Sequence, residues 1–354
     1  MSLRFTFKPE TEQQLTTFEL PDEIGFCKYT VPIMAVAHYR DGIWQDAQIT
    51  DFAPLQISPD CLGLHYGQVI FEGMKAFYDS ADHCAVCFRW QQHWARLNES
   101  AKRLAMPEVP QPLFQQLLFT LVAKSQSYLP TGVGDALYLR PLMFASGNGL
   151  GFGKNDSFTL IIIAAPTAQY FNAPLNVYVE REYRRACEGG VGGAKMAGNY
   201  GATYLASQKA QQHGCQQTLW LDAKEGRYIE EFSAMNFFAV FDNEIVTPRL
   251  TGTILPGVTR DSVIEIAKKL DIQICERAVS IEELTEQIQS GNCQEVFACG
   301  TGATLIPVAS LNDGSSVYEL GEWKFTQKLK DALQTIQHGQ GDKHFDSWIT
   351  RIQF

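Results

Sequence analysis

A lysine among glycines is a place where an amine can do covalent chemistry. The chain holds one in Gly189-Gly190-Val191-Gly192-Gly193-Ala194-Lys195-Met196-Ala197-Gly198-Asn199-Tyr200-Gly201, where small residues leave room for a flat group against the backbone, within reach of Lys195. A lysine in such a pocket can condense with an aldehyde, and desolvation lowers its pKa toward the neutral amine that the reaction needs. The same segment also reads as a loop carrying a solvated lysine. Covalent chemistry therefore requires the rest of the chain to supply an anion site, an acid for a ring nitrogen and aromatic walls.

The anion site has a candidate in Leu255-Pro256-Gly257-Val258-Thr259-Arg260-Asp261. An apolar segment turns there through Pro-Gly into a helix starting near Thr259, whose first backbone N–H groups and positive dipole end would face a phosphate. A second cluster, Gly300-Thr301-Gly302-Ala303-Thr304, follows a strand ending at Ala298 and offers two more N–H donors. With the lysine pocket, these describe a cofactor that carries both an aldehyde and a phosphate. Other glycine-rich stretches fit less well. Gly147 to Lys154 resembles a nucleotide P-loop, but its glycine spacing is off by one and Asn155 replaces the hydroxyl residue that would bind magnesium. Cys84-Ala85-Val86-Cys87, with His83 beside it, has the spacing of a redox pair or half a zinc site. No second ligand pair is evident beyond His93, so it reads as a short strand, and no metal is expected.

These residues need elements to hold them. Strand-forming runs cover 31–39, 64–78 (changing character at Glu72-Gly73), 136–144 and 158–165. Trp94, Leu97, Ala101 and Leu104 fall on one helical face that stops at Pro107, and 113–128 forms a second helix. Strands alternating with helices predict a mixed α/β domain over residues 1–165. Residues 166–175, bracketed by Pro166 and Pro174, read as the interdomain loop. A second domain over 176–354 carries Lys195, with strands at 176–180, 218–221, 236–241, 244–247, 272–275 and 294–298, and helices at 200–213, 261–270 and 324–336.

Composition narrows the function classes. At 354 residues the chain is long enough for about two domains. Apolar residues make up 45% and charged ones 19%, an ordinary globular balance. A formal net charge of -10 opposes nucleic-acid binding. The most apolar run, around Ile161-Ile162-Ile163, falls far short of the roughly 18 residues of a membrane span, and Met1 to Lys8 shows no signal core. A cytoplasmic protein with small-molecule substrates, and with neither nucleic acid nor membrane as a partner, is the expectation. Nine scattered cysteines read as reduced thiols.

Five ordered stretches carry a resemblance. They are Leu64 to Phe77, with Phe71-Glu72-Gly73; Leu137-Tyr138-Leu139-Arg140-Pro141; Lys195 with Gly198-Asn199-Tyr200; Ile229-Glu230-Glu231; and Leu255 to Arg260. In them the chain resembles a branched-chain amino acid aminotransferase of the fold type IV (class IV) pyridoxal phosphate enzymes, across nearly its whole length. The resemblance implies a two-domain fold, with a smaller N-terminal α/β domain and a larger C-terminal pseudo-barrel α/β domain. It implies ping-pong transamination of leucine, isoleucine, valine or related apolar L-amino acids with 2-oxoglutarate, using pyridoxal 5′-phosphate. Lys195 would hold the cofactor and shuttle a proton between the substrate Cα and the cofactor C4′. Glu231 would keep the pyridine nitrogen protonated, and Tyr200 would bond the ring's phenolic oxygen. Arg96, with the backbone of Gly257, Val258, Thr259 and Thr301, would bind the phosphate. Tyr66, Phe71 and Tyr138 resemble the aromatic pocket, and Ala234 and Gly302 line it. The Tyr138 hydroxyl and the Thr301 and Gly302 amides would grip the α-carboxylate, and Arg140 the distal carboxylate of glutamate. Tyr170 would close over the substrate. Leu150 and Phe152 would be offered to the neighbouring subunit, which implies a homodimer.

Several positions depart from the family pattern. Thr30-Val31-Pro32-Ile33-Met34 stands where many members read Phe-Thr-Asp-His-Met, in a segment that helps form the pocket wall. Ala234 replaces a common threonine, Gly302 an alanine and Phe152 a smaller valine. Ala303 and Ile306 occupy the places of a redox Cys-x-x-Cys found in some relatives, so no thiol switch carries over. These changes leave the order of apolar donors open, an unbranched or aromatic preference being the alternative. Other outcomes on the same lysine and glutamate are a D-amino acid aminotransferase or an aminodeoxychorismate lyase, and a non-catalytic phosphate-binding protein would be colourless when purified.

Overall fold

A computed structural model describes residues 3–153 and 155–354; Met1, Ser2 and Lys154 lie outside the described residues. The chain forms two compact units, and neither is continuous in sequence. The first comprises Met1–Tyr170, Lys195–Ala197 and Gln334–Phe354, and the second Phe171–Ala194 and Gly198–Leu333. Thus Lys195 and the C-terminal segment, expected in the second domain, pack with the first unit. The reason is strand pairing. Strand Ile349–Ile352 runs antiparallel to Cys84–Phe88, and Met196 bridges to Ile70.

The first unit is built on a mostly antiparallel sheet. Its centre is the long pair Ala136–Ala145 and Phe158–Thr167, flanked by Ile33–Arg40 on one side and Met74–Asp79 on the other. Helix Gln111–Lys124 buries Leu113, Phe114, Leu117, Leu118, Leu121 and Val122, a spacing of three and four that turns one stripe onto the core. The run read as one strand over 64–78 is three elements. Helix Leu62–Tyr66 ends at Gly67 in the left-handed conformation, followed by strands Val69–Phe71 and Met74–Asp79. The break at Glu72-Gly73 falls where the sequence changes character. Of the departing residues in this segment, Val31 and Ile33 are sealed in the core as packing groups, while Thr30 is exposed and Pro32 half-buried.

In the second unit, six strands form a closed ring. In order round it they are Ile229–Phe232, Gln217–Leu221, Leu175–Glu180, Thr304–Asn312, Cys293–Gly300 and Asn236–Phe241, which pairs back to the first through Glu231 and Asn236. The ring has a packed interior that includes Phe232, Phe237, Leu219, Ala298 and Val308. Ring closure removes the exposed edges that an open sheet would present. Helix Val258–Lys269 starts directly after Gly257, as the Pro-Gly signal predicts, and the expected helix at 200–213 divides into Ala197–Gly201 and Tyr204–Gln212. Cys84–Phe88 is a fully buried strand, and burial pushes the Cys87 thiol up to about 12.

Candidate active site

Lys195 is gripped through its backbone inside the first unit. Its N–H donates to Ser100 Oγ at 2.9 Å, and its carbonyl accepts from Phe71 N–H at 3.0 Å. Ser100 is buried on helix Trp90–Arg103. With the main chain held on both sides, the partly buried side chain sets its Nζ 4.8 Å from the centroid of the Phe71 ring. The Arg140 guanidinium lies 5.0 Å from the same ring and 5.2 Å from that of Tyr138. Arg140 Nη2 donates to the Tyr138 hydroxyl at 2.7 Å, and Arg140 Nε is buried without a partner. The structure thus brings Lys195, Phe71, Tyr138 and Arg140 into one cluster.

Sequence reasoning missed what stands behind this cluster. Glu72, fully buried, accepts Arg96 Nε at 2.7 Å, Arg96 Nη2 at 2.8 Å, His93 Nδ1 at 2.8 Å and the Gly73 N–H at 3.2 Å. Burial by itself would raise its pKa, but the guanidinium fork and the histidine outweigh that and hold the carboxyl well below the usual range. Burial pushes His93 down, so it is the neutral Nδ1–H tautomer that donates. Two of Arg96's nitrogens, Nε and Nη2, are committed to Glu72. His93 and Arg96 lie three apart on one helical face, a spacing that marks shared orientation, but nothing in the sequence names Glu72 as their partner.

Other expected residues of this unit are more exposed. Tyr66 meets Phe152 edge-on at 5.4 Å, and its hydroxyl donates to the Leu150 carbonyl. Leu150 and Phe152 nevertheless remain 67% and 90% exposed. Tyr170 packs edge-on against Phe26 at 4.4 Å, which lies 5.6 Å from Tyr138. Phe26 was not anticipated, because a single aromatic in an irregular segment carries no periodic signal.

In the second unit the glycines before Lys195 are used differently from the expectation. A Cβ on Gly192 would collide with the Thr253 carbonyl and Ala186, and one on Gly193 would sit 3.0 Å from the Gly252 carbonyl. These two glycines serve backbone-to-backbone packing, which the Gly193 N–H to Gly252 carbonyl bond seals at 2.9 Å. Asn199 Nδ2 then donates to the carbonyls of Val191 at 2.8 Å and Ala194 at 2.9 Å, fastening the loop.

Glu231 is buried on a ring strand. Its Oε1 pairs with Arg185 Nη2 at 2.8 Å and accepts the Leu255 N–H at 3.3 Å, while Oε2 accepts Asn236 Nδ2 at 3.1 Å. Burial raises the pKa of neighbouring Glu230, against the opposing effects of a hydrogen bond with Thr253 and the charge of Arg185. Arg185 and Asn236 were also missed. Helix Val258–Lys269 has Gly257 as its N-cap with no side-chain cap, and the Asp261 N–H makes the first intrahelical bond, to the Gly257 carbonyl. A Cβ on Gly257 would strike Asn236 Oδ1. Thr301 and Gly302 lie in the turn between strands Cys293–Gly300 and Thr304–Asn312, Ala234 is exposed in the turn before Asn236, and Tyr200 is partly buried on the short helix Ala197–Gly201.

This donor set suits a phosphate-bearing aldehyde with a ring nitrogen. The first unit carries the lysine amine, and in the second unit the first turn of helix Val258–Lys269 has no side-chain cap on its N–H groups. Glu231, an ionised carboxylate held by Arg185, Asn236 and the Leu255 N–H, is the acceptor that an aromatic ring N–H requires.

Comparison with known proteins agrees with the geometry. Residues 69–311 match the family described as Amino-transferase class IV. A branched-chain-amino-acid aminotransferase of Mycobacterium tuberculosis (strain CDC 1551 / Oshkosh) is 40% identical over 368 residues, covering 99% of each chain. A probable branched-chain-amino-acid aminotransferase of Staphylococcus aureus (strain N315) is 42% identical over 340 residues, covering 94% of each. Among solved structures, the branched-chain amino acid aminotransferase of Escherichia coli superposes with a TM-score of 0.70 at 28% identity, over 90% of this chain and 100% of that one. The branched-chain aminotransferase of Thermoproteus uzoniensis, solved with norvaline, shares the fold at a TM-score of 0.76 and 24% identity, over 90% and 99%. The mixed α/β fold type IV architecture expected from the resemblance stands with these likenesses. By the family match and by near full-length identity to its relatives, this chain belongs to the class IV aminotransferases.

Proposed function

We propose that the protein transfers the amino group of branched-chain or related apolar L-amino acids to 2-oxoglutarate, with pyridoxal 5′-phosphate as cofactor. The observation that carries this reading is the backbone-clamped Lys195, with its Nζ over Phe71 beside Tyr138 and Arg140. The names of the relatives support the substrate class. When bound, pyridoxal phosphate supplies an aldehyde that exchanges for an amine and a protonated ring that withdraws electrons from Cα.

The chain's own residues do the rest. Lys195 would hold the cofactor through its amine and would serve as the general base and acid for the proton moved between Cα and C4′. Glu231 would accept the ring nitrogen's N–H, and Tyr200 would donate to the phenolic oxygen. The phosphate is bound by the N–H groups of Val258, Thr259 and Thr301, with Gly257 allowing close approach and Arg96 adding charge. Phe26, Phe71, Tyr138 and Tyr170 offer an aromatic surface to the apolar side chain, completed by Tyr66, Ala234 and Gly302. Arg140, with its buried unpartnered Nε, receives the second carboxylate of 2-oxoglutarate. Leu150 and Phe152, apolar and exposed, are covered by a second copy in a homodimer.

The test is direct. The purified protein should absorb visible light, and borohydride reduction followed by peptide mapping should place the cofactor on Lys195. Values of kcat/KM for L-leucine, L-isoleucine, L-valine, L-methionine, L-phenylalanine and D-alanine with 2-oxoglutarate then rank the donors. A colourless protein, or D-alanine leading the series, overturns the reading.

A further inference from the structure

Arg185 plays no part in the family resemblance or in the roles assigned above, yet its guanidinium pairs directly with Glu231, Nη2 to Oε1 at 2.8 Å. Both side chains are almost fully buried, at 5% and 6% exposed. The same Nη2 also donates to the Thr253 carbonyl, which helps fix the guanidinium. The Asn236 amide and the Leu255 N–H, both uncharged, also donate to the carboxylate, and Arg185 acts on Glu230 as well, where its charge opposes the rise that burial causes. Cys299, which senses the charges of Glu231 and Arg260, is a fully buried thiol whose pKa burial raises, so it stays neutral. Arg260 is bonded to Glu276 at 2.6 Å and to the Pro248 carbonyl at 2.8 Å.

A carboxylate that meets a pyridine nitrogen can share its proton in two ways. The proton stays on nitrogen, giving an ion pair, or crosses to oxygen, giving a neutral pair with a weaker electron sink. A fixed guanidinium against the carboxylate disfavours the second arrangement, since the positive charge would move toward Arg185. We propose that Arg185 is a positioning residue whose charge, acting through Glu231, keeps the proton on the ring nitrogen of the bound cofactor. An opposite charge within hydrogen-bonding distance shifts carboxylate protonation by about 1–3 pK units, so Arg185 biases the proton partition by roughly tenfold to a thousandfold. This inference rests on the proposed cofactor and on Glu231 as its nitrogen partner.

The experiment compares Arg185→Gln, which keeps a donor for Thr253 but loses the charge, with Arg185→Lys, which keeps the charge. Each holoenzyme is loaded with cofactor labelled with nitrogen-15 in the ring, and the ring nitrogen chemical shift is read by NMR beside single-turnover rates of Cα deprotonation. The expected result is a shift toward the unprotonated value in Arg185→Gln, a rate at least tenfold lower, and restoration of both in Arg185→Lys. In the background of Glu231→Gln, Arg185→Gln should add little, because its effect runs through Glu231. A ring nitrogen that stays protonated in Arg185→Gln overturns the inference, as does a Lys variant that behaves like Gln or a full additive loss in the double variant. Should Arg185→Gln fail to fold, the Lys variant decides alone: a folded Arg185→Lys protein with an unprotonated ring nitrogen refutes the charge argument. If the unaltered protein carries no cofactor on Lys195, it is the proposed function that fails, which borohydride mapping shows before any variant is made.

Discussion

Replacing Glu72 by glutamine should be among the most damaging single changes in the first unit. The substitution keeps the shape but removes the charge that faces the Arg96 fork, and an amide NH2 then confronts donors from Arg96 or His93. Arg96, itself 8% exposed, is left as a buried cation without its counter-ion. Breaking a buried pair on one side costs about 3–5 kcal/mol, which at about 2–4 °C per kcal/mol for a unit of this size lowers the melting temperature by roughly 6–20 °C. Circular dichroism melts of the two full chains near neutral pH measure this. The pH dependence has a fixed sign. The folded-state pKa of Glu72 is depressed below its ordinary 4.5, so its contribution is complete above that value and is lost as pH falls toward the folded pKa. The gap in melting temperature should therefore be level from about pH 8 down to about pH 5 and narrow below it. A drop below about 2 °C, the scale of an exposed pair, would refute the reasoning, as would a gap that widens on acidification.

Three further outcomes follow from the same geometry. Lys195→Ala should retain cofactor through the phosphate contacts while losing the visible absorbance and nearly all turnover; recovery of full activity, or a reducible adduct at another lysine, would remove Lys195 from its role. Gly73→Ala drives a Cβ into the Tyr138 hydroxyl, so the Arg140–Tyr138 bond should break and kcat/KM fall about tenfold or more, read in steady-state kinetics with the best donor; unchanged kinetics would mean that Tyr138 does not contact substrate. Sedimentation should show a dimer that Phe152→Glu weakens, and a fully active monomer at high dilution would remove the second copy from the site.

Much of this protein was legible in its sequence. Pro256-Gly257 before a run of spaced apolar residues fixes where helix Val258–Lys269 begins, because capping and hydrophobic periodicity are local properties. Lys195 stands out among glycines, and Glu231 enters only through the family resemblance of Ile229-Glu230-Glu231, so the roles of both are proposals. Tertiary structure decided the partners. Glu72 meets residues more than twenty positions away, Arg185 meets Glu231 from beyond the lysine loop, and Lys195 is claimed by Ser100 and Phe71 of the first unit. Gly192 and Gly193 look in sequence like room for a ligand, but they are closed by the backbone of Gly252 and Thr253. Periodicity tells which side of an element is buried, and nothing in it tells against what. A buried charge must be paired, so each of these pairings was required, but its identity was fixed only when distant segments packed together.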